Sequence, residues 1–306
     1  MREMEDAFSA PVADIRRLTI HDGPGVRDTV FVKGCPLHCV WCHNPESISP
    51  RPRLLFRSRL CVGCGACAEL CPQKVHIFAE GGHTLSRDNC VCCGKCAEAC
   101  LPGALTFCGT RLSAEEVVRN VLRDKEFFLN SGGGVTLSGG EPLLYPDFTA
   151  RVFRRLKEEG IPTALDTCGA VSYAAFEKVL PWTDRILFDV KGMDPERHAR
   201  NTGRTNEVIL ENLSRLGARG IPVEIRMPIV PGRNDDPSEI ARAGAFLKNV
   251  AAVESIRLLP YHRAGGKYAV CGMEDPMPET EAPSAEELEA LAAILRRRAG
   301  VEVSCD

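Results

Sequence analysis

With 306 residues, 44% of them hydrophobic, the chain is long enough for one large α/β domain or two smaller ones. Its 38 basic and 41 acidic side chains leave a net charge of −3, which argues against nucleic-acid or membrane-surface binding. The polar, acidic start from Met1 to Asp14 has no apolar signal region and no long apolar run follows, so the expected location is cytoplasmic. In that setting 16 cysteines point to metal or catalytic chemistry rather than disulfides, and to an anaerobic or strongly reducing environment.

Along the chain, Thr29-Val-Phe-Val-Lys33 predicts a short apolar strand that leads into a loop holding Cys35, Cys39 and Cys42. Their spacing is C-x3-C-x2-C. A 4Fe–4S cube normally takes four thiolates, so a three-cysteine loop leaves one iron open. An open coordination position separates a catalytic metal site from a closed structural one.

Residues 52–107 read as an insert stapled by metal, because nine cysteines lie between Cys61 and Cys100 among too few apolar residues for a core. Cys61-x2-Cys64-x2-Cys67-x3-Cys71-Pro72 is a bacterial ferredoxin run, and Cys90-x2-Cys93-x2-Cys96-x3-Cys100 is a second. In two-cluster ferredoxins the fourth cysteine of each run ligates the other cluster. One cluster is therefore assigned to Cys61, Cys64, Cys67 and Cys100, the other to Cys90, Cys93, Cys96 and Cys71. Cys92 breaks the spacing and stays unassigned. Cys108, Cys168, Cys271 and Cys305 show no ligand spacing and are expected to be buried thiols.

Beyond the insert, strand and helix alternate. Ser113-Ala-Glu-Glu116 starts a helix to about Leu129 with a capping box. Strands are expected at 134–138, 162–166, 185–189, 223–227 and 255–259, with a short one at 301–304. Helices are expected near 145–159, 173–180, 195–201, 207–219, 237–249 and 285–298. Such alternation implies a parallel sheet with right-handed crossovers. Six units, counting the strand before the cysteine loop, fall short of a closed eight-fold barrel. The expected fold is α/β, an open, partial (β/α)6 barrel made of 1–51 and 108–306, with 52–107 inserted. Sites in such folds gather at the carboxyl ends of the strands. There lie the cysteine loop, Gly139-Gly-Glu141, Asp166-Thr167, Asp189-Val-Lys191, Arg226 and Tyr261-His262. Asp189 and Lys191 alternate and so point the same way. The turn Gly23-Pro-Gly25 is expected to expose Asp22 and Arg27.

The cysteine loop, with Trp41 before its last cysteine, resembles the radical S-adenosylmethionine (SAM) superfamily. A narrower match runs through His21-Asp-Gly-Pro-Gly-Val-Arg27, Trp41-Cys-His-Asn-Pro-Glu46, Ser138-Gly-Gly-Glu-Pro142, Asp189-Val-Lys191, Val230-Pro-Gly-Arg-Asn-Asp235 and Leu259-Pro-Tyr-His262. These look like the activating enzymes of glycyl radical enzymes, in the subgroup with a two-cluster insert. The resemblance implies three 4Fe–4S clusters and SAM as cosubstrate, chelated at the open iron through its amino and carboxylate groups. It implies reductive cleavage of SAM to methionine and a 5′-deoxyadenosyl radical, which abstracts hydrogen from a glycine of a partner enzyme. It also implies that Gly140, supported by Glu141, holds the methionine amino group. Asp189, Val190 and Lys191 serve the ribose and the methionine carboxylate. His262 lies beside ribose or adenine, Trp41 and His43 border the adenine, and Asp166 lies near the methionine end. The lip from Asp22 to Arg27 would meet the partner's glycine loop. The expected partners are a glycyl radical enzyme and a low-potential reductant such as ferredoxin or flavodoxin, with the chain itself a monomer. The insert would relay electrons or brace a partner surface. Two other readings are a radical SAM enzyme for another peptide or small molecule, and a three-cluster electron carrier. The open-iron loop argues against the carrier.

Overall fold

The computed structural model describes residues 8–305, so Met1–Ala7 of the acidic start and Asp306 lie outside the described residues. The strands are β1 (Ser9–Thr19), β2 (Arg27–Val32), β3 (Arg53–Phe56), β4 (His76–Ala79), β5 (Gly82–Leu85), β6 (Leu105–Cys108), β7 (Thr110–Ser113), β8 (Gly134–Gly139), β9 (Thr163–Thr167), β10 (Arg185–Asp189), β11 (Val223–Ile229), β12 (Val253–Pro260) and β13 (Glu302–Cys305). Among the described residues, nine form one open sheet in the order β13-β12-β11-β10-β9-β8-β2-β1-β7. Every neighbouring pair from β2 through β8, β9, β10, β11 and β12 to β13 is parallel.

The sheet is nevertheless mixed, not purely parallel, because β1 pairs antiparallel with both β2 and β7. Neither β1 nor β7 was expected. Pro11 sits inside β1, and a proline within an apolar run reads against a strand. Only Ser9–Val12 of β1 are fully buried; the second half faces solvent through Arg16, Arg17 and Leu18.

Helix boundaries follow local chemistry. The Ser113 hydroxyl accepts from Glu116 N at 3.2 Å, and the Glu116 carboxylate accepts from Ser113 N at 2.8 Å, closing the capping box. The single helix expected to Leu129 is broken instead into Ala114–Val121, a 3-10 turn, and Lys125–Ser131. At the break Asp124 is buried and takes both arms of the Arg17 guanidinium.

Helices Pro146–Glu158 and Tyr173–Val179 bury Phe148, Val152, Phe153, Leu156 and Phe176 in the core, which also takes Leu137, Leu165, Ile186 and Phe188 from the sheet. Each such side chain contributes about 1.5–3 kcal/mol of transfer free energy. The parallel register sets Val32 beside Gly139, Phe188 beside Thr167 and Asp189 beside Arg226. The carboxyl ends of five strands thus form one rim.

In the cysteine-rich stretch, β3 pairs antiparallel with β6 from Arg53↔Cys108 to Phe56↔Leu105, bringing its two ends together. Between them stand the β4–β5 hairpin and two short helices, Ala66–Leu70 and Lys95–Glu98. Each helix follows a left-handed glycine, Gly65 or Gly94, and each repeats the same 2.9 Å bond, Ala68 N to Gly65 O and Ala97 N to Gly94 O. The buried apolar cluster here is only Leu54, Cys67, Cys96 and Leu105. Among the described residues, no helix is long and apolar enough to cross a membrane.

Candidate functional site

The loop with Cys35, Cys39 and Cys42 is held by main-chain bonds from three directions. Gly34 N and Cys35 N donate to Ser47 O and Ile48 O at 2.8 and 3.0 Å. His38 N and Val40 N donate to Thr202 O and Asn201 O at 2.7 and 3.0 Å, at the end of helix Pro195–Thr202. The unexpected helix Gly265–Cys271 closes the third side: Tyr268 Oη donates to Cys42 O at 3.0 Å and Lys267 Nζ to His43 O at 2.6 Å. Trp41 is buried against Val230, Tyr261 and Met277.

The end of β8 leans directly on this loop. Gly140 N donates to Val32 O and Glu141 N to Gly34 O, both at 2.8 Å. The approach explains the two glycines. A Cβ on Gly140 would lie 2.0 Å from Gly34 O, and one on Gly139, whose φ is +108°, would lie 2.5 Å from Val32 N. Glu141 is fully buried; its carboxylate accepts from Leu143 N, Thr167 Oγ1 and Cys168 N, tying β8 to β9. Burial raises its pKa against the lowering effect of these bonds.

The three cysteines and Gly140 open onto a cleft of about 310 Å³. Trp41, His43, Asp166, Asp189, Lys191 and His262 line it too, so almost every strand-end residue singled out by sequence meets there. The size lies within the range of small-molecule sites, about 300–1,000 Å³. Lys191 Nζ is 2.6 Å from Asp189 Oδ2. Burial alone would lower the Lys191 pKa, but the charge and hydrogen bond of Asp189 outweigh it and hold the ammonium above its ordinary value. Asn234 of the Val-Pro-Gly-Arg-Asn stretch braces this corner by donating to Lys191 O at 3.1 Å. Burial pushes the Cys39 thiol up to about 12 and Cys42 to about 11. His43 Nε2 donates to His262 O at 2.8 Å, the two ring centroids lie 4.4 Å apart, and burial lowers the His43 pKa.

At the floor Arg226 gathers acids: Asp22 at 3.5 Å, Asp166 at 3.8 Å and Glu224 at 3.4 Å. Burial, opposed by Arg226, pushes Asp166 up to about 7 while Ser138 Oγ donates to it at 2.5 Å.

Four expectations need correction. Val190 does not line the cleft; its side chain lies in the core because it alternates away from Asp189 and Lys191. Arg27 is not exposed but 2% accessible, bonding Thr136 Oγ1 at 2.8 Å and Val135 O at 2.9 Å, and burial lowers its pKa to about 10. Asp22 also turns inward, accepting from Thr29 Oγ1 at 2.7 Å and facing Arg226. Cys108, Cys168 and Cys271 are buried, but Cys305 is exposed.

Cys168 was missed as a cleft residue. It lines the cleft beside Cys35 because it directly follows β9, whose end the buried Glu141 pins in place. Its only signal in the sequence was its place one residue past Asp166-Thr167.

In the cysteine-rich stretch, one small cavity is lined by Cys61, Cys64, Cys67 and Cys100 and a second by Cys71, Cys90, Cys93 and Cys96. These are the two crosswise sets expected from the spacing. His83 enters the first cavity, and burial lowers the pKa of His83 and of His76 beside it. Cys92 borders the second, with Sγ donating to Pro52 O at 3.3 Å.

Comparison with known proteins agrees with this geometry. Residues 29–243 match the family model described as the radical SAM superfamily. The chain is 40% identical over 284 residues to the trans-4-hydroxy-L-proline dehydratase activating enzyme of Clostridioides difficile, covering 92% of this chain and 94% of that one. It is 40% identical over 291 residues to the isethionate sulfite-lyase activating enzyme of Nitratidesulfovibrio vulgaris, covering 92% and 94%. A radical SAM methyltransferase from Sphaerobacter thermophilus shares the fold, with a TM-score of 0.56 at 16% identity over 97% of this chain and 77% of that one.

Proposed function

The chain belongs to the radical SAM superfamily, among the activating enzymes of glycyl radical enzymes, and we propose how its own residues divide that work. The enzyme cleaves SAM reductively to methionine and a 5′-deoxyadenosyl radical, and this radical takes a hydrogen atom from a glycine of a partner enzyme. Cys35, Cys39 and Cys42 would hold a 4Fe–4S cluster, which would supply the electron.

The single observation that carries the division of roles is the convergence of the three-cysteine loop, Gly140 and the Asp189–Lys191 pair on one cleft. The main chain at Gly140 holds the methionine amino group. The ammonium of Lys191, kept charged by Asp189, holds the methionine carboxylate, and Asp189 accepts from ribose hydroxyls. His262, Trp41 and His43 border adenine and ribose. The buried walls keep water from the polar contacts to SAM and so strengthen them.

Residues 52–107 form a ferredoxin-like insert with two further 4Fe–4S clusters, one on Cys61, Cys64, Cys67 and Cys100, the other on Cys71, Cys90, Cys93 and Cys96. Support comes from the two cavities, the first lined by four cysteines and the second by five with Cys92, each drawn from both runs, and from the repeated Gly–helix turn. A ferredoxin or flavodoxin supplies the electrons to a cytoplasmic monomer. The partner is a glycyl radical enzyme. The partners for which the two relatives are named, a dehydratase and a sulfite-lyase, differ in chemistry. The activation step is indifferent to that chemistry, since it acts on a backbone glycine.

The test is to reduce anaerobically reconstituted protein, add SAM and a candidate glycyl radical enzyme, and record electron paramagnetic resonance. A glycyl-radical doublet with 5′-deoxyadenosine supports the reading. 5′-Deoxyadenosine without a doublet from any partner would favour a different radical SAM reaction.

A further inference from the structure

Each of the two cavities of the insert is lined by its crosswise set of four cysteines, the second by Cys92 as well, and a histidine distinguishes the first. His83, on β5, projects an imidazole into the cavity of Cys61, Cys64, Cys67 and Cys100. The lining of the other cavity contains no imidazole. His83 Nδ1 lies 3.4 Å from Cys61 Sγ, and His83 Nε2 lies 3.0 Å from His76 Nδ1 and 3.9 Å from Cys67 Sγ. The ring is clamped: Phe78 stacks on it at 4.4 Å and 8°, and Phe56 meets it at 4.5 Å. His76 is itself buried, on the partner strand of the hairpin.

The hydrogen-bond directions follow from chemistry. A cysteine that ligates iron is a thiolate and has no proton to give, so His83 Nδ1 must donate to Cys61 Sγ. A neutral His83 then has a lone pair on Nε2, and His76 Nδ1 must donate to it. That leaves His76 Nε2 as an acceptor, and this atom is buried with no hydrogen-bond partner among the described residues. Two N–H dipoles are therefore aligned in series, both with their positive ends towards the sulfur. Adding an electron makes a cluster more negative, so donors aimed at its sulfur favour the reduced form and raise the potential.

We infer that His83, oriented by His76, is a positioning residue for electron transfer, which raises the reduction potential of the cluster on Cys61, Cys64, Cys67 and Cys100 above that of its neighbour. The two insert clusters are thereby unequal, and an electron entering the insert settles first on the His83 side. The inference rests on the reading that the insert holds two clusters.

The test uses full-length, anaerobically reconstituted protein, with iron and sulfide counted before a redox titration followed by electron paramagnetic resonance. In His83→Leu the iron content is expected to stay at the wild-type level. One insert potential should fall by about tenfold in its equilibrium, which is about 59 mV for one electron, while the other stays put. His83→Gln keeps an N–H donor and should restore part of the shift. His76→Leu removes only the outer dipole and should give a smaller fall in the same direction. Unchanged potentials in His83→Leu at full iron content overturn the inference. So does loss of iron in both His83 variants, which would make His83 a ligand or a packing residue, as the 4.8 Å grouping of Cys67, His76 and His83 would also allow for a lone metal ion. Wild-type protein that binds iron only at Cys35, Cys39 and Cys42 overturns the two-cluster reading instead, and the iron count distinguishes that failure.

Discussion

The cysteines of the core loop and those of the insert are held in opposite ways. Cys35, Cys39 and Cys42 sit on a loop anchored by Ser47, Ile48, Asn201, Thr202, Lys267 and Tyr268, residues mostly remote in sequence. The loop stands on the rim of a large core, and two of its thiols are deeply desolvated. The insert's cysteines sit on short local turns around an apolar cluster of four residues, and Cys64 and Cys93 are exposed. Ile77, Phe78, Val62 and Val91 are exposed there too, and Leu101 is 98% accessible. A large folded core can hold an open metal site ready for a ligand, whereas a stretch with so small a core would take much of its order from the metals proposed for it.

The largest test of that contrast is ligand removal in the core. Replacing Cys35, Cys39 or Cys42 by Ala should abolish 5′-deoxyadenosine formation while leaving the insert's iron in place, read by product chromatography and iron analysis. Loss of all iron on a single core substitution would break the contrast.

Next comes metal removal by chelation. The insert should become a protease target between β3 and β6 while the nine-stranded sheet stays protected from hydrogen exchange. Equal protection of both regions without metal would show that the insert folds on its own.

Within the cleft, Gly140→Ala should cost about 10²-fold in SAM cleavage, because its Cβ would displace Gly34 and with it the cysteine loop. Lys191→Ala should weaken SAM binding by about 10–100-fold, the worth of a charge-assisted bond of about 1.5–3 kcal/mol. Equilibrium dialysis with SAM measures this, and unchanged affinity would remove Lys191 from the site.

The smallest effect concerns Asp166. Its folded carboxyl keeps a proton up to about pH 7, whereas the unfolded group loses it near 3.8. The folded state thus binds more protons between these values, and stability falls as pH rises through that window, with a slope of at most about 1.4 kcal/mol per pH unit. Asp166→Asn should flatten that part of the curve in thermal unfolding. An unchanged slope would assign it to Asp28, which burial also raises to about 7.

The cysteine groups that line the cleft and the two small cavities, and the parallel run, were legible in the chain for one reason: each is a local pattern. The spacing C-x3-C-x2-C, the two ferredoxin runs and the apolar strand of 134–138 need only neighbours in sequence. Helix Gly265–Cys271 was not legible, since it is short and glycine-rich and its two anchors matter only where they land, on Cys42 and His43. β1 was hidden by Pro11, which contributes its carbonyl to Lys33 N at 2.7 Å without needing a proton of its own.

Sequence alone grouped the cysteines by their spacing and put the polar side chains of the cleft at strand ends, because covalent spacing limits how far neighbouring residues can spread. Tertiary structure decided what surrounds them. The register between β2 and β8 buried Arg27 where an exposed lip was expected, and Glu141 brought Cys168 to the side of Cys35. The β4–β5 hairpin aimed His83 at Cys61. Such placements depend on pairings across tens to hundreds of residues, which no local spacing encodes.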